Sequence, residues 1–247
     1  MTSTNRSALI TGSGRNIGRA IALELASRGF NIVLNGSSDT QACQAVADEV
    51  SSLGVQAVIA MGDIGQRDQV QSIAQCALES FGTVDVLINN AAIRPNYDFV
   101  EDSEEEWERV MNTNFKSCYW LARACLPGML EQGWGRIVFF TGMNAQQGYP
   151  GKSAVSVSKH AAWGLTKSLS KDYGPRGITS NIISPGTIVG ETENPTFAEK
   201  YDALKKINPS GRLGVPTDIA STVGFLASDE AGFINGQIMQ INGGVVG

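Results

Sequence analysis

Short, nearly continuous apolar runs alternate along the chain with longer stretches of helical period. The runs at 7–10, 31–34, 57–61, 84–89, 136–140, 178–183 and 237–241 are rich in Val, Ile, Leu and Phe. Runs that are apolar at successive rather than alternate positions predict strands covered on both faces. Between them, 17–27, 40–53, 67–80, 104–131, 153–173 and 217–226 have the pattern of helices. Strand and helix in turn, from end to end, predict a doubly wound, mostly parallel seven-stranded α/β sheet in a single domain over 1–247. One stretch, 190–207, is polar and long enough to break the rhythm. It reads either as a candidate lid over a substrate or as an ordinary surface excursion.

Composition narrows the partners. The 247 residues include 19 Lys and Arg against 24 Asp and Glu, a net charge of -5, with no basic cluster along any segment. Phosphate backbones require a concentrated positive surface, so nucleic acid is not expected as a partner. No apolar stretch reaches the roughly 18 residues of a membrane span, and the opening MTSTNRS has neither the apolar core nor the cleavage site of a signal peptide. A cytoplasmic protein acting on a small molecule is the expectation. Cys43, Cys76, Cys118 and Cys125 are widely spaced with no C-x-x-C pair, so buried reduced thiols are expected, with neither a metal site nor a disulfide framework.

The 28 glycines are the clearest excess. Three of them, Gly12, Gly14 and Gly18, lie between the first strand and the first helix. A strand, a glycine turn and a helix N-terminus together present backbone N–H groups and a positive dipole end to a pyrophosphate. No Gly-Lys-Ser/Thr ending follows, which argues against a nucleoside-triphosphate loop.

With this turn in place, the chain resembles the short-chain dehydrogenase/reductase family over essentially its full length. Thr11 to Gly18 resembles that family's T-G-x-x-x-G-x-G turn, with Asn16 where the middle glycine is usual. Asn89-Asn90-Ala91-Ala92 resembles its N-N-A-G motif, Pro185-Gly186 its P-G motif, and Asn242-Gly243-Gly244 its C-terminal ending. The resemblance implies a Rossmann-type fold, a nicotinamide dinucleotide and an oxidoreductase, assembled as a homotetramer or homodimer through the helical regions 115–126 and 154–170. Carried over position by position, it nominates Gly12, Ser13, Arg15, Asn16, Ile17 and Gly18 at the turn. It further nominates Asp63 and Ile64 at the adenine, Asn90, Ala91 and Ala92 after the fourth strand, and Pro185, Gly186 and Ile188 beside the nicotinamide.

The second strand ends in Asn35-Gly36-Ser37-Ser38, without the carboxylate that would accept from a ribose 2'-hydroxyl. Arg15 in the turn offers a guanidinium to a 2'-phosphate. NADP is therefore expected before NAD, with Asn35, Gly36 and Ser37 beside that phosphate. Asp39, at the start of 40–53, suits a helix N-terminus better than a ribose contact.

The catalytic end departs from the family pattern. The resemblance places a Ser after the fifth strand and a Tyr four residues before a Lys. Here Lys159 and Asn114 match, but Gly142 stands at the serine position and Val155 at the tyrosine position. Losing a positioned general acid costs about 10²- to 10⁴-fold in rate. The candidate replacements are a water held by Lys159 and Asn114, Tyr149, Tyr97, or an acidic group of the substrate. His160, the only histidine, follows Lys159 and is expected to point away from the cleft, about 100° around the helix. Arg94 lies in the loop after the fourth strand, where it reads either as a binder of a substrate carboxylate or phosphate or as a solvated charge. These residues leave three functions open: an NADP(H)-dependent reductase of a carbonyl or conjugated enone, a non-redox lyase, isomerase or dehalogenase, or a cofactor-binding pseudoenzyme.

Overall fold

The computed structural model describes residues 6–190 and 198–246. Seven strands form one sheet, β1 (Ser7–Thr11), β2 (Asn31–Asn35), β3 (Ala57–Ile59), β4 (Val86–Asn89), β5 (Gly135–Phe140), β6 (Ile178–Pro185) and β7 (Ile238–Ile241). Their order is β3-β2-β1-β4-β5-β6-β7, and every pairing is parallel. The sheet expected to be mostly parallel is thus wholly so.

Successive residues of one strand feed opposite faces. Ala8 and Ile10 join Ile21 and Leu25 of α1 (Asn16–Ser27), Val46 of α2 (Thr40–Ser52) and Val223 of α9 (Pro216–Leu226). Leu9 joins Ile73 of α3 (Arg67–Phe81), Leu121 of α5 (Ser117–Gln132) and Leu169 of α7 (Ser153–Tyr173) on the other face. Burial on both sides is why the strands show no polar alternation.

The helix expected over 104–131 is interrupted. It divides into α4 (Glu104–Met111), a π-helical turn (Asn112–Lys116) and α5. An i→i+5 turn inserts one residue and re-aims the side chains it carries, here burying Asn114 to 1% exposure. A short α6 (Met143–Gln147) lies in what reads as a loop, and α8 (Ala198–Ile207) occupies the second part of the 190–207 excursion. The rest of that candidate lid, 191–197, lies outside the described residues. Asp39 caps α2 by accepting from Ala42 N at 2.9 Å, and Glu104, Glu105 and Glu106 fill the first turn of α4, where the dipole favours them.

Gly177 links α7 to β6 at a φ of +81°, and a Cβ there would sit 2.1 Å from the Gly133 carbonyl oxygen. Left-handed strain and the clash together predict that Gly177→Ala lowers unfolding free energy by about 2–4 kcal/mol. Urea denaturation with an unchanged m-value checks this, and a variant as stable as the parent contradicts it.

Candidate active site

The site forms along the carboxyl ends of the strands, centred where β1 and β4 lie side by side and the crossovers leave in opposite directions. Asn90 spans this seam, its Nδ2 donating to the carbonyl oxygens of Thr11 at 3.0 Å and Gly12 at 3.2 Å. The Thr11 hydroxyl accepts from Ala91 N at 3.0 Å. The glycine turn is thereby fixed to β4. A Cβ at Gly18 would lie 2.1 Å from the Gly12 oxygen, so α1 can close onto the turn only with glycine there. Arg15, at the N-cap, makes no side-chain cap, and no acidic residue occupies the first turn of α1. The helix therefore presents its dipole without an internal anion, which fits a dinucleotide pyrophosphate.

A cleft of about 660 Å³ runs from this turn past Arg15, Ser37, Asp63 and Ile64. Arg15 is exposed, and its guanidinium has no ion pair among the described residues. Asp63 Oδ1 accepts from Gly65 N at 2.8 Å. Asn35 is buried, and its Nδ2 donates to Ala60 O at 2.9 Å and Gly62 O at 3.0 Å, so its amide ties β2 to the exit of β3. The Ser13 hydroxyl turns inward as well, accepting from Asn35 N at 3.0 Å, and Gly36 O accepts from Gly62 N at 2.9 Å. Ser13 and Gly36 shape the cleft from behind, whereas Asn35, Arg15 and Ser37 line it.

A second hollow, about 460 Å³, continues the first across Ile17, Asn90, Arg94 and Ile188, which line both. Its walls bring together Gly142, Tyr149, Val155, Lys159, Pro185 and Gly186. Gly186 packs against Asn242 so closely that a Cβ would stand 2.7 Å from Asn242 Cα, joining the P-G corner to the C-terminal ending. Lys159 is 3% exposed. Burial, then the Arg94 charge, pull its pKa down to about 8, while the Cys118 thiol acts weakly the other way. No residue hydrogen-bonds its ammonium among the described residues, leaving three donors available to the cleft. Val155, four residues earlier on the same face of α7, packs with Val110 and Ala154. Gly142 is extended, and a Cβ there would meet nothing within 4 Å.

Asn114 does not line the cleft. Its Oδ1 accepts from Ile93 N and its Nδ2 donates to Ile93 O, both at 2.9 Å, with a longer bond to the Ser158 hydroxyl. Its amide holds the loop that carries Arg94. Tyr97 is likewise placed away from the hollow, its hydroxyl accepting from Ala154 N at 3.0 Å. Tyr149 is half exposed at the rim. His160 is exposed, with its Nδ1 2.9 Å from Ser156 O and its ring near Trp163.

Lys152 was not foreseen. Its ammonium donates to the carbonyl oxygens of Arg94 at 2.6 Å and Pro95 at 2.7 Å. It sits at the N-cap of α7, before the helix proper, so no helical spacing in the sequence singles it out. Thr141, Asn144 and Ser156 add polar groups to the wall. Among the described residues no His, Cys, Asp and Glu cluster could hold a metal, the four cysteines are free, and no helix is long and apolar enough to cross a membrane.

Residues 12–246 match the family model described as enoyl-(acyl carrier protein) reductase. The chain is 37% identical over 241 residues to the 3-oxoacyl-[acyl-carrier-protein] reductase FabG of Staphylococcus epidermidis, covering 98% of this chain and 99% of that one. It is 37% identical over 239 residues to the FabG of Haemophilus influenzae, covering 96% and 97%. A 3-oxoacyl-[acyl-carrier-protein] reductase of Synechocystis is 33% identical over 244 residues, 98% of each chain. The expected dinucleotide, NADP, agrees with this kinship and with the absence of a carboxylate after β2. Matched from the glycine turn to beyond the last strand, the chain belongs to the short-chain dehydrogenase/reductase family of NAD(P)-dependent oxidoreductases.

Proposed function

We propose that the protein is an NADPH-dependent reductase of a small carbonyl or conjugated enone, in which the Lys159 ammonium takes over the proton delivery of the missing tyrosine. The observation that carries this reading is a buried ammonium without an internal partner, on the same stripe as Val155 and facing a hollow continuous with the dinucleotide cleft. The names of the matched family and relatives, reductases of an enoyl and of a 3-oxoacyl group, support the two substrate classes.

In this reading the turn from Gly12 to Gly18 and the N-terminus of α1 hold the pyrophosphate, Arg15 and Ser37 the 2'-phosphate, and Asp63 and Ile64 the adenine end. Ile17, Asn90, Ala91, Ala92, Pro185, Gly186 and Ile188 enclose the nicotinamide half. Bound NADPH supplies a hydride to the electrophilic carbon. Lys159 would donate to the nicotinamide ribose and to the substrate oxygen. Lys159 Nζ would give a proton to the substrate oxygen and recover one from solvent. An ammonium with a pKa near 8 is a stronger acid than an ordinary lysine and still mostly charged at neutral pH. Asn114 acts as a positioning residue through Ile93. The non-redox alternatives find less support, because they give no role to a buried ammonium beside a dinucleotide turn. A cytoplasmic homo-oligomer belongs to the same proposal, with Tyr119 of α5 and Val157 of α7 exposed on the helices expected to pair.

Three measurements test this reading. Fluorescence titration is expected to show NADPH bound more tightly than NADH, with Arg15→Ala lowering NADPH affinity about tenfold and sparing NADH. An unchanged NADPH affinity removes the 2'-phosphate role. The protonated form of Lys159 is the active one, so kcat/KM for NADPH oxidation with an enone or ketone panel should be flat below about pH 8 and fall tenfold per unit above it. A profile flat to pH 10 removes Lys159 as proton source. Restoring both hydroxyls in Gly142→Ser/Val155→Tyr should raise ketone reduction by about 10²-fold or more, and a lower rate with NADPH binding intact argues that the hollow serves other chemistry.

A further inference from the structure

We infer that the substrate of this reductase is an oxo acid, whose carboxylate pairs with the Arg94 guanidinium a few atoms from the reacting carbon. The inference rests on the reductase reading for the identity of the reacting group and on separate observations for the anion.

Arg94 lines both halves of the cleft, beside Asn90 and Ile188. Its guanidinium makes no hydrogen bond or ion pair among the described residues. The charged side chains in the catalytic half are Arg94, Lys152 and Lys159, and no Asp or Glu lines it among the described residues. The Arg94 charge, after burial, lowers the pKa of both Lys152 and Lys159, while Arg94 itself is exposed. Like charges gathered along one hollow that no internal carboxylate lines favour a ligand that supplies an anion.

The loop is also braced to hold the guanidinium in place. Lys152 bonds the Arg94 and Pro95 carbonyls, Asn114 bonds both backbone groups of Ile93, and the Tyr97 hydroxyl accepts from α7. Pinning the backbone on both sides of one arginine removes much of the ordering entropy that a charge-assisted, bidentate contact would otherwise cost. A carboxylate matches the planar fork of the guanidinium. Arg94 lines the same hollow as Val155 and Gly142, so a carboxylate bound there would belong to the small molecule that occupies it.

The test compares acetoacetate with methyl acetoacetate, an anionic and a neutral version of one ketone, by calorimetric titration of the protein with and without NADP. The parent is expected to bind acetoacetate at least tenfold more tightly than the ester, and Arg94→Gln to abolish that preference while keeping NADPH affinity. Equal binding of the two probes by the parent overturns the inference, as does a preference that survives in Arg94→Gln. A loss of NADPH affinity in Arg94→Gln, without loss of carboxylate preference, overturns it too by assigning the guanidinium to a cofactor phosphate. An Arg94-dependent carboxylate preference in a protein that neither binds nor oxidises NADPH supports the anion site and refutes the reductase reading instead.

Discussion

Two hydrogen bonds from Asn90 to the carbonyls of Thr11 and Gly12 hold together the seam on which the rest of the site is built. The sheet places β1 beside β4, and the chain leaves these neighbours toward opposite edges, so their carboxyl ends border an open crevice. Without a brace, the glycine turn on one side and the loop carrying Arg94 on the other would move independently. With it, the N-terminus of α1, the two cleft halves and α7 share one frame. The close approach of Gly18 to Gly12 sets the same frame from below, since α1 can seat on the turn only where no side chain intervenes.

The electrostatics follow a second constraint. The ion pairs of the outer surface, such as Arg28 with Glu24 and Lys116 with Glu108, are largely exposed and contribute little to stability. Lys159 is the opposite case, a nearly buried ammonium with a depressed pKa and no hydrogen-bonding residue among those described. Such a charge is destabilising in the folded chain, and a ligand that accepts from it relieves the penalty. Arg94 and Lys152 add positive charge toward the substrate end, and although Lys152 already donates to the Arg94 and Pro95 carbonyls, the hollow carries an unmet demand for negative charge. At Gly142 and Val155 the side chains are small or apolar, which leaves that demand on the cations alone.

The amino-acid order by itself determined the seven strands, the flanking helices and the glycine turn, because burial on both faces and the turn's backbone requirements leave a local mark. It also placed Asp39 at a helix cap, since a cap acts through its position on one element. Tertiary structure decided the rest, wherever partners lie far apart in sequence. The π-helical turn at Asn112–Lys116 has no hydrophobic-period signature, yet it sends Asn114 to Ile93, 21 residues away. Asn35 lines the cleft while its amide also holds Ala60 and Gly62, and the Tyr97 hydroxyl accepts from α7, bonds that sequence alone does not show. That Arg94 stands among lysines rather than carboxylates was likewise beyond the sequence. Which charges face one another depends on how β4, β5 and α7 converge, and that convergence is set by packing of the whole sheet.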